Sequence, residues 1–381
     1  MKRFALMFAC ACGCTPAMAD RLFSDGFEIP LVEPLFPLVD GHFVLPPGPT
    51  TDQLAWILDE LAAGETTTPD EIAAHFGPEW NVPQLQTFFQ TLRTAYPDAI
   101  VRDVVGVTPV QVTVVISKPD LSTPFGYLNL AARYSGAHDI VNFQVANYFG
   151  STQYPEDHAL DLAGATAKFA TLSGAPALLV GRIGANGQCS AIADLHASEL
   201  RATASIFKIW VLGGVARAVA RGELDVGDPV PLIASEIAPG GAINDEPLGT
   251  VFTVADMARL MLGISDNTAT DHLHELAGRE RIGEFVDESG VADPNVLKPL
   301  LGISEQFHLF FSFPLATSLA YVNGTEAYQQ QFIDSDIVPL GPYVPGTGAY
   351  NNVQLMTSGS WRASPLDICH GFARHLRQPQ G

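Results

Sequence analysis

The sequence predicts a two-domain α+β protein, and three observations carry that prediction. The chain has 381 residues, 47% apolar and 16% charged, which is long for one domain and rich enough for a sizeable core. Helical periodicity holds from Thr51 to about Leu92, and strand-like runs then continue to about Phe149. Beyond a break at Tyr154-Pro155-Glu156-Asp157 the order restarts with a helix, a hairpin and further helices, so a second core is expected.

The chain opens with Lys2 and Arg3, an apolar run from Phe4 to about Cys14, and Ala17-Met18-Ala19, the pattern of a cleaved signal peptide over residues 1–19. Export to the periplasm or the extracellular space follows from it. Cys10, Cys12 and Cys14 leave a lipid anchor open, although none has a Leu three residues before it. Cleavage would move the formal charge from −21 to −23, a field that repels nucleic acid and anionic surfaces. No later apolar run is of transmembrane length.

Residues 20–50 are proline-rich and read as an extended lead-in. The first domain, 51–156, begins with three helices. Asp52 opens one with Leu54, Ile57, Leu58 and Leu61; Pro69-Asp70-Glu71 opens a short second; Val82-Pro83 opens a third with Leu85, Phe88, Phe89 and Leu92. Strands follow at Val104 to Val107, Val110 to Ile116 and Tyr127 to Tyr134, with a helix or strand at Val141 to Phe149. Together these predict helices on a curved antiparallel sheet. Asp98, Asp103 and Tyr127 would suit a polar pocket there, but surface carboxylates and a core tyrosine explain them more simply.

The second domain, 157–381, starts with a helical stretch from Ala159 to Leu172 and two strands, Ala175 to Ile183 and Ser190 to Leu195. Gly184-Ala185-Asn186-Gly187 joins them as a hairpin. Cys189 and Cys369 are the cysteines left after cleavage, and their spacing leaves pairing open. No metal or cofactor is expected: HExxH, CxxC and P-loop patterns are absent, and His272 and His274 point to different sides of a helix.

The segment that carries chemistry is Ser205-Ile206-Phe207-Lys208, inside a run apolar on most faces and so expected to be a buried helix. Three residues apart on a helix, Lys208 would lie beside the Ser205 hydroxyl, and burial would disfavour its ammonium form. An amine so placed can take the serine proton. Ser265-Asp266-Asn267 follows sixty residues on, after a helix with Thr253 as expected N-cap. A serine-lysine pair alone arises often by chance. The two motifs together do not.

These motifs resemble the class A β-lactamase and penicillin-binding-protein superfamily, in which an SxxK serine is acylated and an SDN loop lines the same cleft. The resemblance implies Ser205 as nucleophile and Lys208 as its base. It implies that Ser265 passes a proton to the leaving group and that Asn267 binds the substrate's amide side chain and holds Lys208. The backbone N–H of Ser205 would donate to the oxyanion. Ser364-Pro365 and the helical residues after it resemble the Thr-Pro helix of the same superfamily. A class A β-lactamase or transpeptidase-like α/β-α domain is therefore expected over 157–381.

Two departures accompany the matches. Val344 to Ala363, where an omega-loop glutamate would stand, contains no Asp or Glu. The superfamily's Lys-Thr-Gly strand has no counterpart, since the last lysine is Lys298, so the fold is expected to be incomplete, with the Ser205 helix packed against two strands. The upstream domain, together with an expanded region between SDN and Ser364, resembles the family of the esterase-like protein of the clavulanate gene cluster. That implies a steroid-isomerase-like α+β domain. The expected activity is a serine acyl hydrolase taking a small-molecule β-lactam-like amide or ester. A non-catalytic, ligand-binding pseudoenzyme and a cell-wall D,D-carboxypeptidase or transpeptidase are the alternatives.

Overall fold

The computed structural model describes residues 36–39, 42–120, 125–148, 160–359 and 361–377. The signal segment, most of the proline-rich lead-in and the Tyr154 to Asp157 break lie outside the described residues. Two compact units divide the chain, 1–161 and 162–381.

In the first unit α1 (Pro49–Glu60), α2 (Pro69–His75) and α3 (Val82–Ala95) come in the expected order. Each begins at a local signal. Pro49 starts α1 two residues before Thr51, its fixed φ suiting a first helical position. Thr68 and Glu71 form a reciprocal capping box on α2, and the Asn81 side chain accepts from Gln84 N on α3. Four strands follow, β1 (Ile100–Val107), β2 (Gln111–Ser117), β3 (Gly126–Ala132) and β4 (Ile140–Asn147), paired antiparallel in sequence order. Register shifts between Val101 and Asp103 and between Val104 and Gly106 are bulges that curve β1.

Alternation decides which face is core. Val112, Val114, Ile116, Leu128 and Leu130 pack with Leu54, Ile57, Ile72, Leu85 and Phe89 of the helices. Asp103 and Tyr127 sit on the opposite face, and Tyr127 stacks on Tyr148 at 6.3 Å instead of entering the core. Asp98 is apart from both, its Oδ1 accepting from Ala63 N at 2.9 Å. The three do not form one pocket.

In the second unit α4 (Leu162–Phe169) precedes the hairpin β5 (Leu178–Ile183) and β6 (Cys189–Leu195). Gly187 takes φ +71° in its turn, a left-handed conformation that favours glycine. A short strand β7 (Arg201–Ala202) leads through a tight 3₁₀ turn, Ala204–Phe207, into α5 (Lys208–Ala220). After β8 (Pro229–Pro231) and β9 (Val251–Thr253), a paired strip, come α6 (Val254–Gly263), α7 (Asn267–Ala277) and α8 (Arg279–Ser289). Thr253 caps α6, as the spacing predicts.

The expanded region is helical, with α9 (Ile303–Phe311), α10 (Leu315–Val322) and α11 (Glu326–Phe332) closing on Leu309, Tyr321, Phe332, Ile333 and Ile337. Strand β10 (Arg362–Ala363) then pairs with β7, and α12 (Pro365–His375) follows, capped by Ser364 and Asp367.

The placement of α5 differs from expectation. It packs chiefly among α7, α8 and α12, while the β5–β6 hairpin is met by α4 and α12. Gly213 explains the α8 contact, since a Cβ there would come within 2.2 Å of the Phe285 ring. The two backbones approach more closely than side chains would allow. Cys189 and Cys369 form a disulfide, tying β6 to α12 and resolving the pairing that spacing left open.

Candidate active site

Ser205 stands on the 3₁₀ turn, not inside the α-helix, and is exposed. Ala204 before it has φ 44°, a left-handed conformation that a non-glycine residue holds only when its surroundings enforce it. The enforcement is visible on both sides. Thr203 N donates to Trp361 O at 3.0 Å, and β7 pairs with β10, holding the chain ahead of the turn. Behind it, Phe207 is buried and stacks on Trp361 with centroids 3.9 Å apart and planes 4° from parallel. Trp361 Nε1 donates in turn to Leu301 O at 2.9 Å.

Lys208, the first residue of α5, is only 1% exposed. Its Nζ donates to Ser265 O at 2.6 Å, Ser265 Oγ at 2.9 Å and Asn267 Oδ1 at 2.9 Å. An ammonium has three hydrogens, so the three acceptors use all of them. No hydrogen bond joins Lys208 to Ser205, although three residues separate them, because the amine turns toward the loop before α7. Burial pulls its pKa down to about 8, against the partly compensating charges of Asp266 and Asp271.

Ser265 has φ 61° and is exposed, the second left-handed non-glycine residue at the site. That conformation turns both its carbonyl and its hydroxyl onto Lys208. Asn267 is engaged at both ends, its Nδ2 donating to Pro239 O at 2.6 Å. One hydrogen of that amide remains for a ligand. The structure thus brings Lys208, Ser265 and Asn267 into direct contact, with Ser205 on the adjoining turn.

Two acids that motif reading passed over hold this arrangement. Asp266 caps α7 by accepting from Ala269 N at 2.7 Å and anchors the preceding loop through Ala242 N at 2.6 Å and Ile243 N at 3.1 Å. Burial raises its pKa, and those three N–H groups and Lys208 oppose the rise. Its place in the triplet just before a helical run was the available signal. Asp271 is buried and accepts from Ile303 N at 2.6 Å and Ser304 N at 2.9 Å, meeting the free N–H groups at the start of α9. Burial pushes it up to about 7. Its partner lies more than thirty residues away, so no local pattern marks it.

The histidines near the site are occupied by the protein. His272 Nδ1 lies 2.8 Å from Thr268 O, and its Nε2 accepts from Ile233 N at 3.1 Å, which requires the neutral ring. His274 Nε2 meets Leu300 O at 2.9 Å. Among the described residues no group of three or more His, Cys, Asp or Glu gathers as a metal site would, and no described helix is long and apolar enough to cross a membrane.

Lys208 meets Ser265 and Asn267 as the resemblance implies, whereas Ser205 stands on a tight turn and not within the expected helix. Residues 182–323 match the model of the beta-lactamase enzyme family. Over those residues the second unit is similar to the beta-lactamase enzyme family. Among solved structures the chain is similar to PBP-A, at 22% identity over 27% of this chain and 42% of that one, with a TM-score of 0.25. It is similar to a beta-lactamase from Sphaerobacter thermophilus DSM 20745, at 29% identity over 35% and 51%, TM-score 0.31. A third is a beta-lactamase from Chitinophaga pinensis DSM 2588, at 14% identity over 53% and 58%, TM-score 0.32. The chain spans about half the length of these structures. Curated proteins contain no match.

Proposed function

We propose that this protein is an exported serine acyl hydrolase, acylated at Ser205 by a β-lactam-like amide or an ester. The observation that supports this reading best is Lys208, a lysine buried among β-lactamase-like elements with its amine held by Ser265 and Asn267 and its pKa near 8. At neutral pH roughly a tenth of such amines are unprotonated, far more than for a lysine in water. The steroid-isomerase-like reading of the first unit accompanies the proposal without entering the chemistry.

The chemistry runs as follows. Neutral Lys208 keeps two hydrogens and gains a lone pair, so one of its three acceptor contacts is released and the amine becomes free to turn toward Ser205. It takes the Ser205 proton as Oγ bonds to the substrate's carbonyl carbon. The Ser205 N–H donates to the developing oxyanion. Lys208 then passes the proton to Ser265, whose hydroxyl gives up its own proton to the leaving nitrogen or oxygen as the carbonyl bond breaks. Asn267 holds Lys208 and offers its remaining amide hydrogen to the substrate. Water hydrolyses the acyl-enzyme in a separate step, and the lack of any Asp or Glu from Val344 to Ala363 predicts that this step is slow.

Labelling by a fluorescent penicillin or a fluorophosphonate tests the reading. Wild-type protein should be labelled and a Ser205→Ala variant should not. Absence of labelling in the folded wild type would favour a non-catalytic binding module, a reading to which the missing Ser205 to Lys208 hydrogen bond lends some support. A D,D-carboxypeptidase needs no omega-loop acid, which fits the same stretch of sequence; release of D-alanine from a stem peptide would distinguish it.

A further inference from the structure

The candidate active site is assembled from two parts of the second unit. Ser205 stands on the turn ahead of α5, while Ser265 and Asn267 stand on the loop that opens α7. Acyl transfer needs these parts at a fixed spacing, because a misplacement of about 1 Å can cost a hundredfold in rate. The hydrogen bonds of Lys208 span the gap when its amine is charged. Neutral Lys208 releases one of them as it turns toward Ser205, so the spacing has to be kept by a link that does not pass through the amine.

Trp361 supplies such a link. Its carbonyl oxygen accepts from Thr203 N at 3.0 Å and from Thr203 Oγ1 at 3.2 Å, and its ring lies flat on Phe207, so it grips the turn on both sides of Ala204-Ser205-Ile206. Its Nε1 donates to Leu301 O at 2.9 Å. The residues around Leu301 are fastened in turn to α7. Leu300 O meets His274 Nε2 at 2.9 Å, and Asp271 accepts from Ile303 N at 2.6 Å and from Ser304 N at 2.9 Å. Asp271 lies one helical turn along α7 from Asn267, which holds Lys208. The path from the Ser205 turn through Trp361 and Leu301 therefore arrives at the helix that carries the other part of the site. A tryptophan that only filled space would use its ring, whereas here the carbonyl, the ring and the N–H each have a separate partner.

We propose that Trp361 is a positioning residue for acylation, a strut that sets the spacing between the Ser205 turn and the loop of Ser265 and Asn267. The proposal rests on the hydrolase reading of Ser205. It divides the work within one residue: the carbonyl and the ring fix the turn, and the N–H fixes the turn against the α7 side. Phenylalanine at this position keeps the carbonyl and a ring for Phe207 to stack on, and loses the N–H. Alanine keeps the carbonyl alone. The two variants therefore loosen the strut by different amounts while leaving every contact of Lys208 in place.

Timed labelling of the full chain over a range of fluorescent penicillin concentrations separates the limiting acylation rate from the half-saturating concentration. Trp361→Phe should lower the limiting rate about tenfold and Trp361→Ala about a hundredfold, with the half-saturating concentration unchanged. The apparent pKa of labelling should stay near 8 in both, because the Lys208 environment is untouched. Unfolding alone would reduce the labelled fraction and leave the rate of the remaining molecules as it was. Amide hydrogen exchange gives a second readout that needs no penicillin. Ile206 N donates to Thr203 O at 3.0 Å across the turn, and its exchange should quicken about tenfold or more in Trp361→Ala while α8 exchanges as in the wild type. If the wild type is not labelled, the hydrolase reading fails and exchange alone decides whether Trp361 holds the turn. Wild-type limiting rates in both variants, or wild-type exchange at Ile206 in Trp361→Ala, would overturn the proposal.

Discussion

Replacing Lys208 by methionine should abolish acylation and at the same time remove a pH-dependent weakness from the fold. The side chain is buried, and burial takes the amine from its ordinary 10.5 to about 8. The unfolded chain therefore binds one more proton than the folded chain between these two values, and stability rises with pH across that window. Below pH 8 the full penalty applies, about 3 kcal/mol at 1.36 kcal/mol per unit of pKa. From pH 7 to pH 9 the wild type should recover about 1.4 kcal/mol of it by the same linkage. Lys208→Met has no such group, so the stability difference between the two proteins should change by that amount over that interval. Urea unfolding of both, with Trp210 and Trp361 reporting the second unit, measures it. Parallel pH dependences would refute the claim that a buried, destabilised ammonium sits at this position.

Asp266→Asn should remove one of the charges that favour the Lys208 ammonium, moving the pH dependence of Ser205 labelling to lower pH and destabilising the second unit by ~2 kcal/mol. Reduction of the Cys189 to Cys369 disulfide, which closes a loop of 180 residues, should cost ~3–5 kcal/mol, read as a lower urea midpoint with dithiothreitol than without. Gly213→Ala should cost ~2 kcal/mol or more, because its methyl would overlap the Phe285 ring where α5 meets α8; thermal unfolding monitors it.

What the sequence made legible follows from how far each feature depends on neighbours in the chain. The Thr253 cap acts within three residues, so composition and spacing reveal it. Burial of Lys208 could be read from the apolar residues around it. Its direction could not, because that depends on Ser265 adopting a left-handed conformation and on three acceptors arriving from nearly sixty residues away. The 3₁₀ turn under Ser205 was hidden for a related reason: it is held by Trp361, which pattern reading leaves in a loop. Tyr127 reads from its sequence as a core tyrosine, and only the strand register assigns it to the outer face. Asp271 and the disulfide both join segments remote in sequence, where no periodicity operates.

The acyl adduct itself gives the most direct test. Intact protein is mixed with a penicillin, quenched at intervals between pH 6 and pH 10, and digested for mass spectrometry. The account predicts a penicilloyl adduct on the peptide containing Ser205, forming faster as pH rises with an apparent pKa near 8 and absent from Lys208→Met. An adduct on another residue, or one that forms equally well in Lys208→Met, would contradict it.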